Sequence, residues 1–186
     1  MRVISGTARG KKLTPVPGMD TRPTTDRVKE SMFNIIQNQV YGARVLDLFA
    51  GTGQLGIEAL SRGAAHCDFV DFDKTAQTIA RKNIDAARVS ERAHLHKTDF
   101  TRFVSNCAKG SYDLIFLDPP YGGKILAQAL SAIERFDILS ETGIIVCESA
   151  AEDTVETGLA KGREYRYGAI KITIVCHDWK DGTDNT

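Results

Sequence analysis

The stretch Val45-Leu46-Asp47-Leu48-Phe49-Ala50-Gly51-Thr52-Gly53-Gln54-Leu55-Gly56 decides the fold. Its first half is a short apolar run with one acid inside, which reads as a strand buried on both faces. Its second half is G-x-G-x-x-G opening into a helical pattern. A strand that turns through glycines into a helix is the first unit of an open α/β sheet, and it puts a ligand crevice at the strand's carboxyl end. Outward from it the units repeat. Strands are predicted at Arg44–Phe49, His66–Asp71, Ala93–Lys97, Asp113–Leu117 and Ile144–Glu148. Helices are predicted at Gln54–Ser61, Lys74–Val89 (with Asp73 as N-cap), Phe100–Ala108, Gly123–Phe136 and Glu152–Ala160. Two closing strands, Arg163–Tyr167 and Ala169–His177, meet at a tight turn on Gly168. The fold class is α/β, a doubly wound and mostly parallel sheet with helices on both faces.

Three acids mark the strand ends. Asp71 follows Gly51 by 20 residues and ends the second strand, where a carboxylate can accept from both hydroxyls of a ribose. The spacing alone also suits a dinucleotide. Asp47 argues against that, because a carboxylate just before the loop repels a pyrophosphate and favours a cationic group. S-adenosylmethionine carries two such groups, an α-amino group and a sulfonium. Asp99 ends the third strand and can accept from an adenine amino group, with Phe100 beside the ring. The alternative is an ordinary turn in which Asp47 faces a helix.

The fourth strand runs into Asp118-Pro119-Pro120-Tyr121-Gly122-Gly123. Two prolines fix φ and remove two donors, so the turn is rigid and rich in acceptors. Asp118 and the Pro119 carbonyl can each accept one N–H of an exocyclic base amine, and Tyr121 offers a flat face for stacking. A direct methyl displacement by that amine needs positioning and charge but no metal.

Composition bounds the rest. At 186 residues, 42% hydrophobic and 26% charged, the chain suits one globular domain. No apolar run approaches the ~20 residues of a membrane span, and no signal-peptide pattern is present. The cysteines Cys67, Cys107, Cys147 and Cys176 form no C-x-x-C pair and lie apart from any histidine ligand pattern, so zinc is not expected and a reducing compartment is. Net charge is zero, yet residues 1–30 carry seven Arg/Lys against three acids, and the remainder 17 against 21. Cationic side chains at the N-terminal end favour a polyanion there. Residues 1–23 read as a hairpin arm, with Val3-Ile4 and Lys12-Leu13 flanking Gly6 and Gly10, before a helix begins near Thr24/Thr25. Residues 24–179 form the main domain, and 180–186 a polar, fraying tail.

The motifs Asp47-x-Phe49-Ala50-Gly51-x-Gly53 and Asp118-Pro119-Pro120-Tyr121 resemble those of class I amino-methyltransferases acting on nucleic acids. More specific are Arg2-Val3-Ile4-Ser5-Gly6, Arg9-Gly10-Lys11-Lys12-Leu13, Thr21-Arg22-Pro23-Thr24-Thr25-Asp26-Arg27-Val28-Lys29-Glu30 and Leu55-Gly56-Ile57-Glu58-Ala59-Leu60. These are similar to the RsmD family of bacterial 16S rRNA guanine-N2 methyltransferases. The resemblance implies a seven-stranded, Rossmann-like class I fold with an N-terminal hairpin. It implies S-adenosyl-L-methionine as donor, and as acceptor N2 of a 16S rRNA guanine, of the 966 type. It implies a cytoplasmic location and the 30S subunit or its assembly intermediate as partner. By position, Asp47, Phe49, Ala50, Gly51, Gly53, Asp71, Phe72, Asp99 and Phe100 map to the cofactor, and Asp118, Pro119, Pro120 and Tyr121 to the catalytic turn. Arg9, Lys11, Lys12, Arg22, Thr24 and Arg27 map to the RNA side. Alternatives are a DNA amino-methyltransferase using the same D-P-P-Y chemistry, a protein glutamine methyltransferase, and a non-catalytic RNA-binding assembly factor. No spare region of target-recognition size exists for the first, and the second favours asparagine where Asp118 stands.

Overall fold

In the computed structural model, which describes residues 1–16, 25–120 and 124–178, seven strands form one sheet in the order β3-β2-β1-β4-β5-β7-β6. The strands are β1 (Arg44–Asp47), β2 (His66–Asp71), β3 (Ala93–Lys97), β4 (Tyr112–Leu117), β5 (Leu139–Ala150), β6 (Ala160–Tyr167) and β7 (Ile170–Cys176). The first five are parallel, and β7 runs antiparallel to both neighbours. Helices α1 (Asp26–Ile35), α2 (Gln54–Ser61), α3 (Lys74–Ala87), α4 (Phe100–Val104) and α5 (Lys124–Phe136) cover it.

Alternation along each strand divides the core in two. Val45, Cys67, Phe69, Leu114 and Phe116 face one side and pack with apolar residues of α1, α2 and α3. Leu46, Val70, Ile115, Leu117 and Cys147 face the other, against Val104 of α4 and the apolar stripe of α5. Both faces are therefore buried, which accounts for the near-continuous apolar strands. The order reverses between β1 and β4, so a crevice opens beyond their carboxyl ends.

The N-terminal hairpin forms as expected, with an antiparallel bridge between Arg2 and Lys12 and Gly10 N–H donating to the Val3 carbonyl at 2.8 Å. It shares the main core, since Val3 and Leu13 belong to the cluster of α1 and α2. A Cβ on Gly6 would lie 1.8 Å from the Ser61 carbonyl oxygen, so only glycine lets the hairpin seat on the end of α2. Thr25 caps α1, its hydroxyl accepting from Val28 N–H.

One expected element is absent. Residues 152–159 form no helix, and the strand β6 begins at Ala160. The segment has Val155 as its one buried side chain, too little for a helical face. Its backbone is held by other elements: Lys171 Nζ donates to the Asp153 carbonyl at 2.6 Å, Lys161 Nζ to Val155 at 3.1 Å, and Glu134 accepts from Gly158 N–H at 3.0 Å. The helix predicted to Ala108 also stops early, at Val104. Asn106 Nδ2 donates to the Arg102 carbonyl there and Ser105 Oγ does the same, so side chains close the turn. The tail 180–186 lies outside the described residues.

Candidate functional site: an acid-lined crevice at the strand ends

The glycine loop is built around two left-handed residues, Gly51 (φ +53) and Gly53 (φ +77), a region that side chains rarely enter. The third glycine has a different task. A Cβ on Gly56 would come within 2.3 Å of the Phe69 ring, so its absence lets α2 lie directly on β2. Asp71 is tied to the loop, accepting from Gly51 N–H (2.8 Å, Oδ2) and Asp73 N–H (2.9 Å, Oδ1). Each oxygen keeps a further acceptor site for a ligand hydroxyl. Ala50, buried, continues the sheet by donating to the Val70 carbonyl at 3.0 Å.

Asp47 is 2% exposed and accepts one N–H, from Gly56 in the first turn of α2, at 3.0 Å. That bond is the helix-facing role considered for it, and it leaves the charge largely uncompensated. Burial pushes its carboxyl up to about 7, against the Gly56 bond and with help from the charge of Asp71. Asp118 lies one residue beyond the Leu117–Cys147 pairing, so it is level with Glu148 of β5. Burial, then Glu148, then Asp47 hold its carboxyl well above the usual range. Three acids on β1, β4 and β5 thus converge where the sheet order reverses. Among the described residues none of the ion pairs involves Asp47 or Asp118, and Gln54 Oε1, just past the loop, is buried without a hydrogen-bond partner. A cationic ligand with donors fits such a crevice, and a pyrophosphate does not.

At the flank, Phe49 and Phe100 pack ring to ring, centroids 5.3 Å apart. Phe72 stands 77% exposed directly after Asp71, an apolar face free to cover a ligand. Asp99 caps α4 through Oδ1, accepting from Thr101 and Arg102 N–H at 2.9 and 3.3 Å, and Oδ2 takes no part in the cap. Pro119 is buried and Pro120 exposed; Tyr121, Gly122 and Gly123 lie outside the described residues.

The family described as conserved hypothetical protein 95 matches residues 1–176. YlbH of Bacillus subtilis (strain 168) is 44% identical over 179 residues, which cover 94% of this chain and 97% of YlbH. Ribosomal RNA small subunit methyltransferase D of Escherichia coli (strain K12) is 35% identical over 159 residues, 84% of this chain and 78% of its own. The chain belongs to the RsmD family. The solved structure of yhhF from E. coli superposes with a TM-score of 0.84 at 30% identity, covering 96% of this chain and 98% of that one. A more distant RNA methyltransferase from Salinibacter ruber, solved with S-adenosyl-L-homocysteine, shares the fold at TM-score 0.65 and 17% identity, covering 88% of this chain and 99% of that one. The class I methyltransferase fold expected from the resemblance is the one found.

Around this RsmD-family crevice the cationic arm differs from its sequence count. Lys29 is fully buried, its ammonium 3.4 Å from Glu58 and donating to the Arg2 carbonyl at 2.5 Å. Burial lowers its pKa against the raising effect of Glu58. Arg2 pairs with Asp26 at 3.0 Å, which turns Asp26 towards the arm. Lys29 is therefore not free for a polyanion, whereas Arg2 stays exposed with an acid beside it. Arg9, Lys11, Lys12 and Arg27 are exposed and take part in no ion pair among the described residues. Arg22 and Thr24 lie outside the described residues.

Sequence reading gives no role to Glu148, Glu58 or Asn83. A single acid ending an apolar strand is the only signal for Glu148, and Glu58 and Asn83 look like ordinary polar positions of helices. Among the described residues no group of three or more His, Cys, Asp or Glu is placed to hold a metal. None of the helices there is long and apolar enough to cross a membrane.

Proposed function

We propose that this chain methylates rRNA, transferring a methyl group from S-adenosyl-L-methionine to the exocyclic N2 of a guanine in 16S rRNA, of the guanine-966 type. The acceptor RNA would be presented by the 30S subunit or its assembly intermediate, in the cytoplasm. The observation that carries the reading is the adjacency of two chemistries. The acceptor-rich turn at Asp118 leaves β4 beside β1, whose end carries Asp47 and the glycine loop.

Asp71 would take the ribose hydroxyls, Asp47 the cationic methionine end, and Asp99 Oδ2 the adenine amine, with Phe72 and Phe100 against the ring. When bound, adenosylmethionine supplies an electrophilic methyl carbon on sulfur. Asp118 and the Pro119 carbonyl would each accept one N–H of the guanine amine and so aim its lone pair at that carbon. That methyl carbon would be transferred to the aimed nitrogen with the bonding electron pair left on sulfur, and the part of this chain's residues would be to hold the amine in line. The nitrogen then sheds a proton, for which a carboxylate with a raised pKa at Asp118 is a competent acceptor. Tyr121 is assigned the stacking face for the base.

A labelled-methyl assay on 30S particles from cells lacking the enzyme, followed by mass mapping of the methylated fragment, tests this. Label on a guanine N2 of 16S rRNA is expected. Label on duplex DNA supplied in parallel, with none on the particles, would turn the reading to a DNA amino-methyltransferase. Particle binding with no transfer would leave a non-catalytic assembly factor.

A further inference from the structure

Asn83 lies on α3, 1% exposed, and uses its whole carboxamide to join two segments distant in sequence. Its Oδ1 accepts from Thr14 N–H at 2.7 Å. Its Nδ2 donates to the Thr14 carbonyl at 3.0 Å and to the Thr52 carbonyl at 2.9 Å. Thr14 continues the arm, one residue past Leu13 in the core. Thr52 stands between the two left-handed glycines of the cofactor loop. The Thr52 carbonyl and the Gly53 N–H share one peptide plane, and that N–H closes the loop on the Ala50 carbonyl at 2.6 Å. Gly53 on one side restricts this plane little, so the two hydrogen bonds at its ends, from Asn83 to the Thr52 carbonyl and from Gly53 N–H to Ala50, set its direction. A second tie runs parallel to it, with Thr52 Oγ1 3.5 Å from Met1 Sδ. No other uncharged side-chain group offers an acceptor and two donors together.

We propose that Asn83 is a positioning residue that couples the N-terminal arm to the glycine loop, so that cofactor binding and ordering of the arm are one linked equilibrium. A ligand that fixes the loop raises the occupancy of the Asn83–Thr52 bond and, through the same carboxamide, holds Thr14. By reciprocity, a polyanion that fixes the arm tightens the cofactor site. The ligand in this proposal rests on the adenosylmethionine reading.

S-adenosylhomocysteine is the probe, with the full-length chain. Calorimetry on the wild type first establishes binding, and its absence would sink the cofactor reading by itself. With binding established, hydrogen exchange at the Thr14 amide is followed with and without the probe. Slowing by roughly 5- to 10-fold is expected in the wild type. Asn83→Asp keeps an acceptor for Thr14 N–H and loses the donor to Thr52. It should weaken probe affinity on the order of tenfold and abolish the probe's effect on Thr14 even at saturation. A purely structural Asn83 would lower the urea midpoint and leave the probe's effect intact, which overturns the proposal. So does wild-type Thr14 exchange that ignores bound probe, a result that requires no variant to fold.

Discussion

Asp47 is buried and Asp118 half-buried beside other acids, and each has a consequence that can be measured. Asp47 titrates near 7 because burial outweighs its one hydrogen bond. A cationic ligand binds the ionised form, so below that value binding must first expel a proton. Affinity for S-adenosylhomocysteine should therefore rise with pH, by up to about tenfold per unit below 7, and level off above it. Calorimetry from pH 5.5 to 8.5, in two buffers of different ionisation heat, would count the released proton. Asp47→Asn should bind weakly with a flat profile, and a wild-type profile that is already flat contradicts the assignment. For Asp118 the expectation separates the two substrates. Asp118→Ala should lower the methyl-transfer rate on the order of 10²–10⁴-fold, with the probe's affinity nearly unchanged. Equal losses in both would place Asp118 in cofactor binding.

Helices and strands whose burial has a period were legible from the residues, and those held by side-chain ties were not. Gln54–Ser61, His66–Asp71 and Ala93–Lys97 occur with the boundaries expected from pattern alone. Residues 152–159 are not legible in this way because their carbonyls and amides are satisfied by Lys161, Lys171 and Glu134, partners that no local pattern contains. The site shows the same division. Asp47, Asp71 and the glycines follow from one loop, whereas Glu148 and Asn83 enter only once the sheet brings β5 and the arm alongside. The arm also carries a prediction. Arg9, Lys11 and Lys12 are exposed on it, and as phosphate contacts each should contribute roughly 0.7–0.9 to the slope of log affinity against log salt. Arg9/Lys11/Lys12→Ala should flatten that slope for 30S or rRNA-fragment binding while the probe's affinity holds. An unchanged slope would move RNA recognition to another surface.

At the scale of the whole molecule, the arm is fastened by a largely buried charge network. Glu58, 0% exposed, accepts from Ile4 N–H at 2.8 Å, Ser5 N–H at 3.0 Å and Arg62 Nε at 2.9 Å, beside the Lys29 ammonium at 3.4 Å. Glu58→Gln keeps one acceptor oxygen, so it strands one of the two amides and leaves the buried Lys29 ammonium without its counter-charge, while loss of Lys29 still leaves Glu58 with Arg62 and both amides. The two truncations should therefore differ. Glu58→Gln is expected to cost about 3–5 kcal/mol and to speed exchange at Ile4 and Ser5. Lys29→Met is expected to cost about 1–2 kcal/mol, because it removes a desolvated charge along with its bonds. The signs with pH differ as well. Burial already places the folded pKa of Lys29 below its unfolded value, so the unfolded chain binds more protons between the two values and stability rises with pH there. Removing the Glu58 charge lowers the folded value further and widens that window downwards. Urea midpoints at pH 7 and 9.5 should show the Glu58→Gln deficit shrinking as pH rises and the Lys29→Met deficit growing, because that variant lacks the group whose titration stabilises the wild type. A deficit that is constant with pH would mean that the Lys29 ammonium finds water once Glu58 is gone, and that the arm leaves the surface before the cation is neutralised.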